Sequence, residues 1–499
     1  MMKKIIYTFS VLTMLLTLSS CKKYLDINTS PNTAPSVDPK LLFSYATVAY
    51  ANLRSSGDLY IPIGLASQSL GGGGNNPTGW SGGDPSADTY TFSANFLNNT
   101  WVSLYVRAGA NLKQAIKLSE TASPANNNAA AQCKVLLAMV VYDITTTFGD
   151  VPFTEAWNEN IIYPKFDNQK TVLEGTIAIL DEALAQFDET SPLKIGANGD
   201  GYDLFYKGDI AKWKKLAKSL KLRTLLTMVD KDPTKATAIG TIIAEGTSSV
   251  VNIATDNALI PYQDIANKRN PKYAIGLQYN GGNNFFFATK PVTDIMDPTP
   301  ALAISDPRLP KFFDKPVSAT KYIGVLPGAD GVDAVNPRIA KSLHSPAAPE
   351  VMYTYQEQLF NEAEVYARGL GVGVDLAKAS ELYKKAIKTS CLFFGVDATL
   401  AENFSNQYPA GNFSSQSEAV TAIHAQQWVD KMDRGLDAFT QWRRSGADGS
   451  EVPLLTLPVG APAGPIFRRY EYPIVNEISR NPNAPKTTIK YNEKMWFDL

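Results

Sequence analysis

Two stretches of the chain carry side chains suited to gripping a polar ring. Residues 71–84 (GGGGNNPTGWSGGD) hold seven glycines and set Trp80 among Asn75, Asn76 and Asp84. Residues 261–290 set Tyr262, Tyr273, Tyr279 and Phe285–Phe287 among amides, including Asn283 and Asn284. A sugar presents an apolar face of C–H groups and a rim of hydroxyls. An aromatic ring covers the face, and Asn, Asp or Gln satisfies the rim. Trp80 with Asn75, Asn76 and Asp84, and Tyr279 with Asn283 and Asn284, are therefore candidate ligand-binding residues. A peptide would use the same amides against its backbone, and ordinary loop packing would use the same rings. Residue types alone leave these readings open.

Catalytic chemistry is hard to find. The chain has two histidines, His344 and His424. They are 80 positions apart, with no H-E-x-x-H motif, which gives no zinc spacing. His424 lies in a helical pattern and reads as packing. No G-x-S-x-G elbow appears. The Gly71–Gly74 run lacks the Lys-Ser/Thr that a phosphate-binding loop requires. With 48 acidic residues, a two-carboxylate glycosidase is not excluded by composition. The expectation is a protein with no catalytic set, no metal and no cofactor. Arg443-Arg444 and Arg468-Arg469 stand beside Trp442 and Tyr470 and are expected to stack and form ion pairs within the body.

The remaining chemistry is at the amino terminus. Lys3 and Lys4 precede an apolar run over 5–18, and Leu18-Ser19-Ser20 leads to Cys21. This is the pattern of a secretory signal, too short for a membrane span of about 20 residues. Leu18–Cys21 also resembles the lipobox of bacterial lipoproteins. In that class the Cys thiol takes a diacylglycerol and the chain is cut just before it. Residues 1–20 are thus expected to be a signal peptide, and Cys21 the lipidated end of a tether over 21–38. Several buried acyl chains, at about 0.8 kcal/mol per CH₂, hold better than one. The other cysteines, Cys133 and Cys391, sit in apolar helical patterns and are expected to be buried thiols. The formal net charge is −1, so no basic excess favours nucleic acid.

The positioning elements read mainly as helices. Helical patterns run over 41–53, 100–119, 129–144, 171–188 and 209–229, the last opened by Asp209 as a cap. The 129–144 segment is nearly all apolar and so is expected at the centre. Between 250 and 350, Pro, Gly, Asn and aromatics replace that periodicity, and Asn280-Gly281-Gly282 has the residues of a hairpin turn. Helices return from Met352. Leu359, Ala363 and Tyr366 face Leu376, Ala379, Tyr383, Ala386 and Ile387 in tetratricopeptide-like spacing. A last long helix is predicted over 418–442. The predicted organisation is one domain over 39–499, with loop-rich insertions at about 60–99 and 250–350.

Several blocks in order resemble the SusD/RagB family of nutrient-binding outer-membrane lipoproteins, in particular its SusD-like, starch-binding-associated subfamily. They are Asp26-Ile27-Asn28, Phe148-Gly149-Asp150-Val151-Pro152-Phe153, and Gly208-Asp209 through Trp213 to Leu222-Arg223. Glu362-Ala363-Glu364 with Ala367-Arg368-Gly369, Trp442-Arg443-Arg444-Ser445-Gly446, and Arg468-Arg469-Tyr470 complete the set. Lys218, Phe439 and Asn361 depart from the usual residues. The resemblance implies an all-α fold of tetratricopeptide-like helical pairs with a loop-rich ligand-binding face. It implies a lipid-anchored, cell-surface protein of the outer membrane that binds oligosaccharide or peptide. It also implies a partner, a SusC-type TonB-dependent transporter over which the protein acts as a hinged lid. A lipid-anchored glycan-acting enzyme and a helical-repeat assembly scaffold are the alternatives. The glycine-rich stretch has no counterpart in the family pattern, so the family supplies no ligand residues.

Overall fold

The structure, a computed structural model, describes residues 37–72, 85–274, 285–298, 304–446 and 451–499. Pro39–Leu499 forms one compact unit. Its long helices are α1 (Pro39–Ser55), α2 (Ala94–Val102), α3 (Asn111–Thr121), α4 (Asn127–Phe148), α5 (Gln169–Gln186) and α6 (Ile210–Met228). They continue as α7 (Lys235–Ala244), α8 (Tyr355–Arg368), α9 (Leu376–Phe393), α10 (Ala398–Asn406), α11 (Gln416–Asp430) and α12 (Gly435–Arg443). A π-helical segment over Ser103–Ala110 carries α2 on into α3. The fold is all-α and tetratricopeptide-like. Strands among the described residues are short antiparallel pairs: β1 (Val151–Pro152) with β2 (Phe166–Asp167), β3 (Ala258–Ile260) with β6 (Glu350–Tyr353), and β4 (Phe313–Asp314) with β5 (Arg338–Ile339).

The apolar helix is central, as its composition predicts. In α4 the residues from Asn128 to Phe148 are all buried. It is long and apolar enough to cross a bilayer, yet 94% of its apolar window is covered by the rest of the protein. The Asn126 side chain caps its start by accepting from the Ala129 N–H. Gly149, at φ +82°, ends it. A Cβ there would lie 2.8 Å from the Arg469 guanidinium. Asp209 caps α6 as predicted, accepting from the Lys212 N–H.

Antiparallel neighbours α8 and α9 share an apolar seam of Leu359, Phe360, Ala363 and Ala367 against Ala379, Leu382, Tyr383, Ala386 and Ile387. The small alanines let the backbones approach, and Tyr383 fills the space between Phe360 and Phe413 at ring distances of 6.3 and 5.1 Å. In α5 the looser repeat Thr176, Leu180 and Ala183 is likewise buried.

The long helix predicted over 418–442 is two helices broken at 431–434. Two forces explain the break. Lys431 and Arg434 both turn inward to Glu357, and Gly435 packs so near the Leu59 and Tyr60 carbonyls that a Cβ would lie 3.0–3.3 Å from them. Cys133 and Cys391 are free and buried. Burial pushes the Cys391 thiol up to about 12 and Cys133 higher still, so both are inert.

Candidate functional site

Cys21, Asn75, Asn76, Trp80, Asp84, Tyr279, Asn283, Asn284 and the proposed turn at Asn280–Gly282 all lie outside the described residues. What the structure shows is the ground around the two predicted loops. Gly71 and Phe287 form an antiparallel bridge with N–H···O distances of 2.8 and 3.0 Å. The approach to 73–84 and the return from 275–284 are therefore held side by side. Gly71 is required there, because a Cβ would overlap the Val325 side chain. Phe285–Phe287, which the sequence sets among the loop amides, are buried at 3% exposure or less. They anchor this root in the core and offer no open face to a ligand. The Arg338 guanidinium lies over the Phe287 ring at 4.0 Å, which fixes the bridge from the other side.

A cleft of about 840 Å³ opens where 275–284 departs. Along one wall, α1 contributes Val48 and Asn52, one face at i and i+4, and the turn that follows it adds Ser56. The opposite wall is the 260–274 segment, with Tyr262, Gln263, Asn267 and Tyr273. This segment is a closed turn: the Gln263 N–H donates to the Lys268 carbonyl at 2.8 Å, and Asn267 adopts φ +64°. Tyr273 is half-buried, and Arg269 lies over its ring at 5.4 Å while pairing with Asp264 at 2.7 Å. Burial pushes the Tyr262 phenol up to about 12, so it is a neutral donor. Two phenol rings, three amides and a hydroxyl facing one space match the sugar chemistry expected of this face. The sequence marked Tyr262 and Tyr273 among the aromatics of 261–290 but did not single them out as ligand residues. Asn52, in α1, and Ser56, just after it, lie some 200 residues earlier and had no local signal.

The groups that look most catalytic lie close by. The Tyr60 hydroxyl, His344 Nε2 and Asp433 Oδ1 are mutually 2.7–3.0 Å apart. Lys272 Nζ donates to Asp433 Oδ2 at 3.0 Å and sits over the Tyr60 ring at 4.5 Å. Burial alone would raise Asp433, but Lys272 and His344 hold its carboxyl far below the usual range. A carboxylate held this low is a fixed anion and a poor general acid. Its oxygens are also occupied by partners that lock the 431–434 turn. Among the described residues, no group of three or more His, Cys, Asp or Glu gathers in a way that could hold a metal.

The paired arginines have structural work. Arg443 donates to the Arg468 carbonyl at 2.9 Å and lies over Phe439 at 4.0 Å. Arg444 pairs with Glu364 at 2.6 Å, and Arg468 pairs with Asp498 at 2.8 Å and covers Trp442 at 4.6 Å. His424 is buried in α11 with Nε2 3.4 Å from Glu364. Of the atypical residues, Asn361 donates to the Tyr353 hydroxyl and accepts from Gln427, and Phe439 stacks on Phe467 at 4.8 Å.

These features define a class: a helical-repeat body presenting a cleft lined by phenols and amides. The profile of the SusD-like family, described as starch-binding and associating with the outer membrane, matches residues 78–473, and the chain belongs to that family. No curated protein sequence matches it. Similar solved structures include one named as a chitin-binding protein, at 21% identity and TM-score 0.75, covering 93% of this chain and 100% of that one. A SusD homologue from Parabacteroides distasonis has 18% identity and TM-score 0.75, covering 92% and 98%. A chitin-binding SusD homologue from Flavobacterium johnsoniae has 18% identity and TM-score 0.68, covering 92% and 97%.

Proposed function

We propose that the protein is a non-enzymatic, lipid-anchored binding protein of the outer-membrane surface that captures oligosaccharide and delivers it to a SusC-type TonB-dependent transporter. The cleft between α1 and the 260–274 segment carries this reading, because Tyr262 and Tyr273 stand there with Asn52, Gln263 and Asn267. This reading assigns further ligand contacts to Trp80, Asn75, Asn76 and Asp84, and to Tyr279, Asn283 and Asn284. The family's description and the chitin-binding relatives support a glycan as the ligand. Rings cover the sugar's C–H face, amides take its hydroxyls, and the cleft stays open enough for release. Cys21 is the fixed end. The tether over 22–38 reaches at most about 55–60 Å when extended and averages nearer 20–25 Å when flexible. That slack lets a lid swing over the transporter while its anchor stays in lipid.

The test is calorimetric titration of the full-length protein with malto- and chito-oligosaccharides, with product analysis of the same mixtures. Binding without turnover is expected. Tyr273→Ala should weaken it about tenfold, the loss of one ring contact with its buried area. Hydrolysis of either oligosaccharide would overturn the binding-only reading. Unchanged affinity in a Tyr262→Ala/Tyr273→Ala variant would remove the cleft from the site.

A further inference from the structure

On the far side of the Pro271–Tyr273 turn lies a second cleft, of about 520 Å³. Tyr273 faces the first cleft and Lys272 lines the second. The second volume falls in the roughly 300–1,000 Å³ range of small-molecule sites. Its walls are the 342–351 segment, the first turn of α8, the end of α9 and the 430–434 turn.

Most of its charges are already matched. Lys272 is bound to Asp433 and lies 3.5 Å from Glu350. Arg434 is bound to Glu357 and Asp430, and Asp430 also accepts from Ser390. Two groups are left over. Among the described residues, the half-buried Lys311 ammonium has no hydrogen-bond or ion-pair partner. Gln356 is 1% exposed and lines the cleft, and its Oε1 is buried with no partner. A buried polar atom without a partner costs stability unless something fills it. Phe393 and Phe394, edge to face at 5.1 Å, form an apolar wall in the same cleft. Ser342 and Ser345 add hydroxyls.

We infer that this cleft is a second ligand site, for a carboxylate-bearing saccharide residue such as a hexuronic acid. The unpaired Lys311 takes the carboxylate. The C–H face of the ring lies on Phe393 and Phe394, and a ring hydroxyl donates to Gln356 Oε1. A neutral sugar would leave Lys311 unmatched, and a simple anion would leave the phenylalanine wall bare. The inference does not rest on the Tyr262–Tyr273 cleft, since no element other than the Pro271–Tyr273 turn need serve both.

The test titrates the full-length protein with digalacturonate, using maltose as the neutral comparison. Saturable digalacturonate binding is expected, weakened by added salt. Lys311→Gln should weaken it about tenfold, the loss of one charge-assisted hydrogen bond. Phe393→Ala should weaken it similarly, and Tyr273→Ala should leave it unchanged. Lys311 holds no partner, so the melting profile of Lys311→Gln should match wild type, which separates lost binding from lost folding. No saturable digalacturonate binding at millimolar concentrations would overturn the inference. So would equal affinity in Lys311→Gln, or loss of digalacturonate binding in Tyr273→Ala.

Discussion

Glu357→Gln should be among the most damaging single substitutions in this chain. Glu357 is fully buried at the start of α8. Its oxygens lie 2.7 Å from Arg434, 3.2 Å from Lys431 and 3.9 Å from Arg223. Burial pushes this carboxyl up, but Lys431, Arg434 and Arg223 outweigh burial and hold it below its ordinary value. Arg54, paired with Asp143 and Asp437, continues the network, so four carboxylates face four cations in one dry region. Removing one charge from a buried pair costs about 3–5 kcal/mol, because its partner stays buried and unmatched. Loss of that size should appear as a large fall in the urea midpoint with little change in slope. A second signature follows from Lys431. Burial already lowers its ammonium, with Glu357 opposing that shift. In the variant the lysine drops further, so between its folded and unfolded pKa values the folded state holds fewer protons than the unfolded one. Stability of the variant should then rise with pH across that window, and its defect should be smaller at pH 9.5 than at pH 7. A defect under about 1 kcal/mol, or one flat with pH, would refute this account of the network.

Three further outcomes are expected. Burial pushes the Asp58 carboxyl up to about 7. Its contribution to stability is therefore present at acid pH and lost as pH rises through 7, so Asp58→Asn should gain on wild type by about 1–2 kcal/mol between pH 5 and 8, after allowance for partial exposure; a constant difference in denaturation over that range would contradict it. Gly371, at φ +70°, approaches α7 so closely that a Cβ would overlap the Ala236 carbonyl and lie 2.7 Å from the Gly240 nitrogen; Gly371→Ala should lose about 2–4 kcal/mol by equilibrium unfolding, and a neutral result would mean the 369–374 turn can move away from α7. Cys21→Ser should leave the protein in the soluble fraction of fractionated cells, and membrane retention of that variant would place the anchor elsewhere.

Sequence periodicity exposed the helical body because the decisive signals were local. Asp209 and Asp375 each cap the helix that follows them. The Ala379, Tyr383 and Ala386 spacing announced a close helix pair because small residues at i and i+7 around one ring permit little else. Periodicity failed where tertiary contacts decided. α7 (KATAIGTIIA) is rich in β-branched residues and holds Gly240, a weak helix on propensity alone, yet Ile239 and Ile242 pack under α6 and stabilise it. The break at 431–434 depends on Glu357, about 75 residues away along the chain, which draws two cations inward from adjoining turns.

The same distinction governs the clefts. Aromatic-and-amide composition drew attention to 261–290, but it could not separate Tyr262 and Tyr273, which line a cleft, from Phe285–Phe287, which are core. That separation comes from the Gly71 bridge, a contact across more than 200 residues. Charge reading meets a harder limit in the second cleft. Lys272, Asp430, Asp433, Arg434 and Lys311 look alike in sequence, five charged residues in polar surroundings. Packing pairs the first four with buried partners and leaves Lys311 alone. Once partners are assigned, the number of charges lining a cleft says little about its ligand; the unmatched charge and the unmatched acceptor say more. By that rule the two clefts on either side of the Pro271–Tyr273 turn differ in kind. One offers phenols and amides to a neutral ring, and the other offers one unmatched cation and an apolar wall.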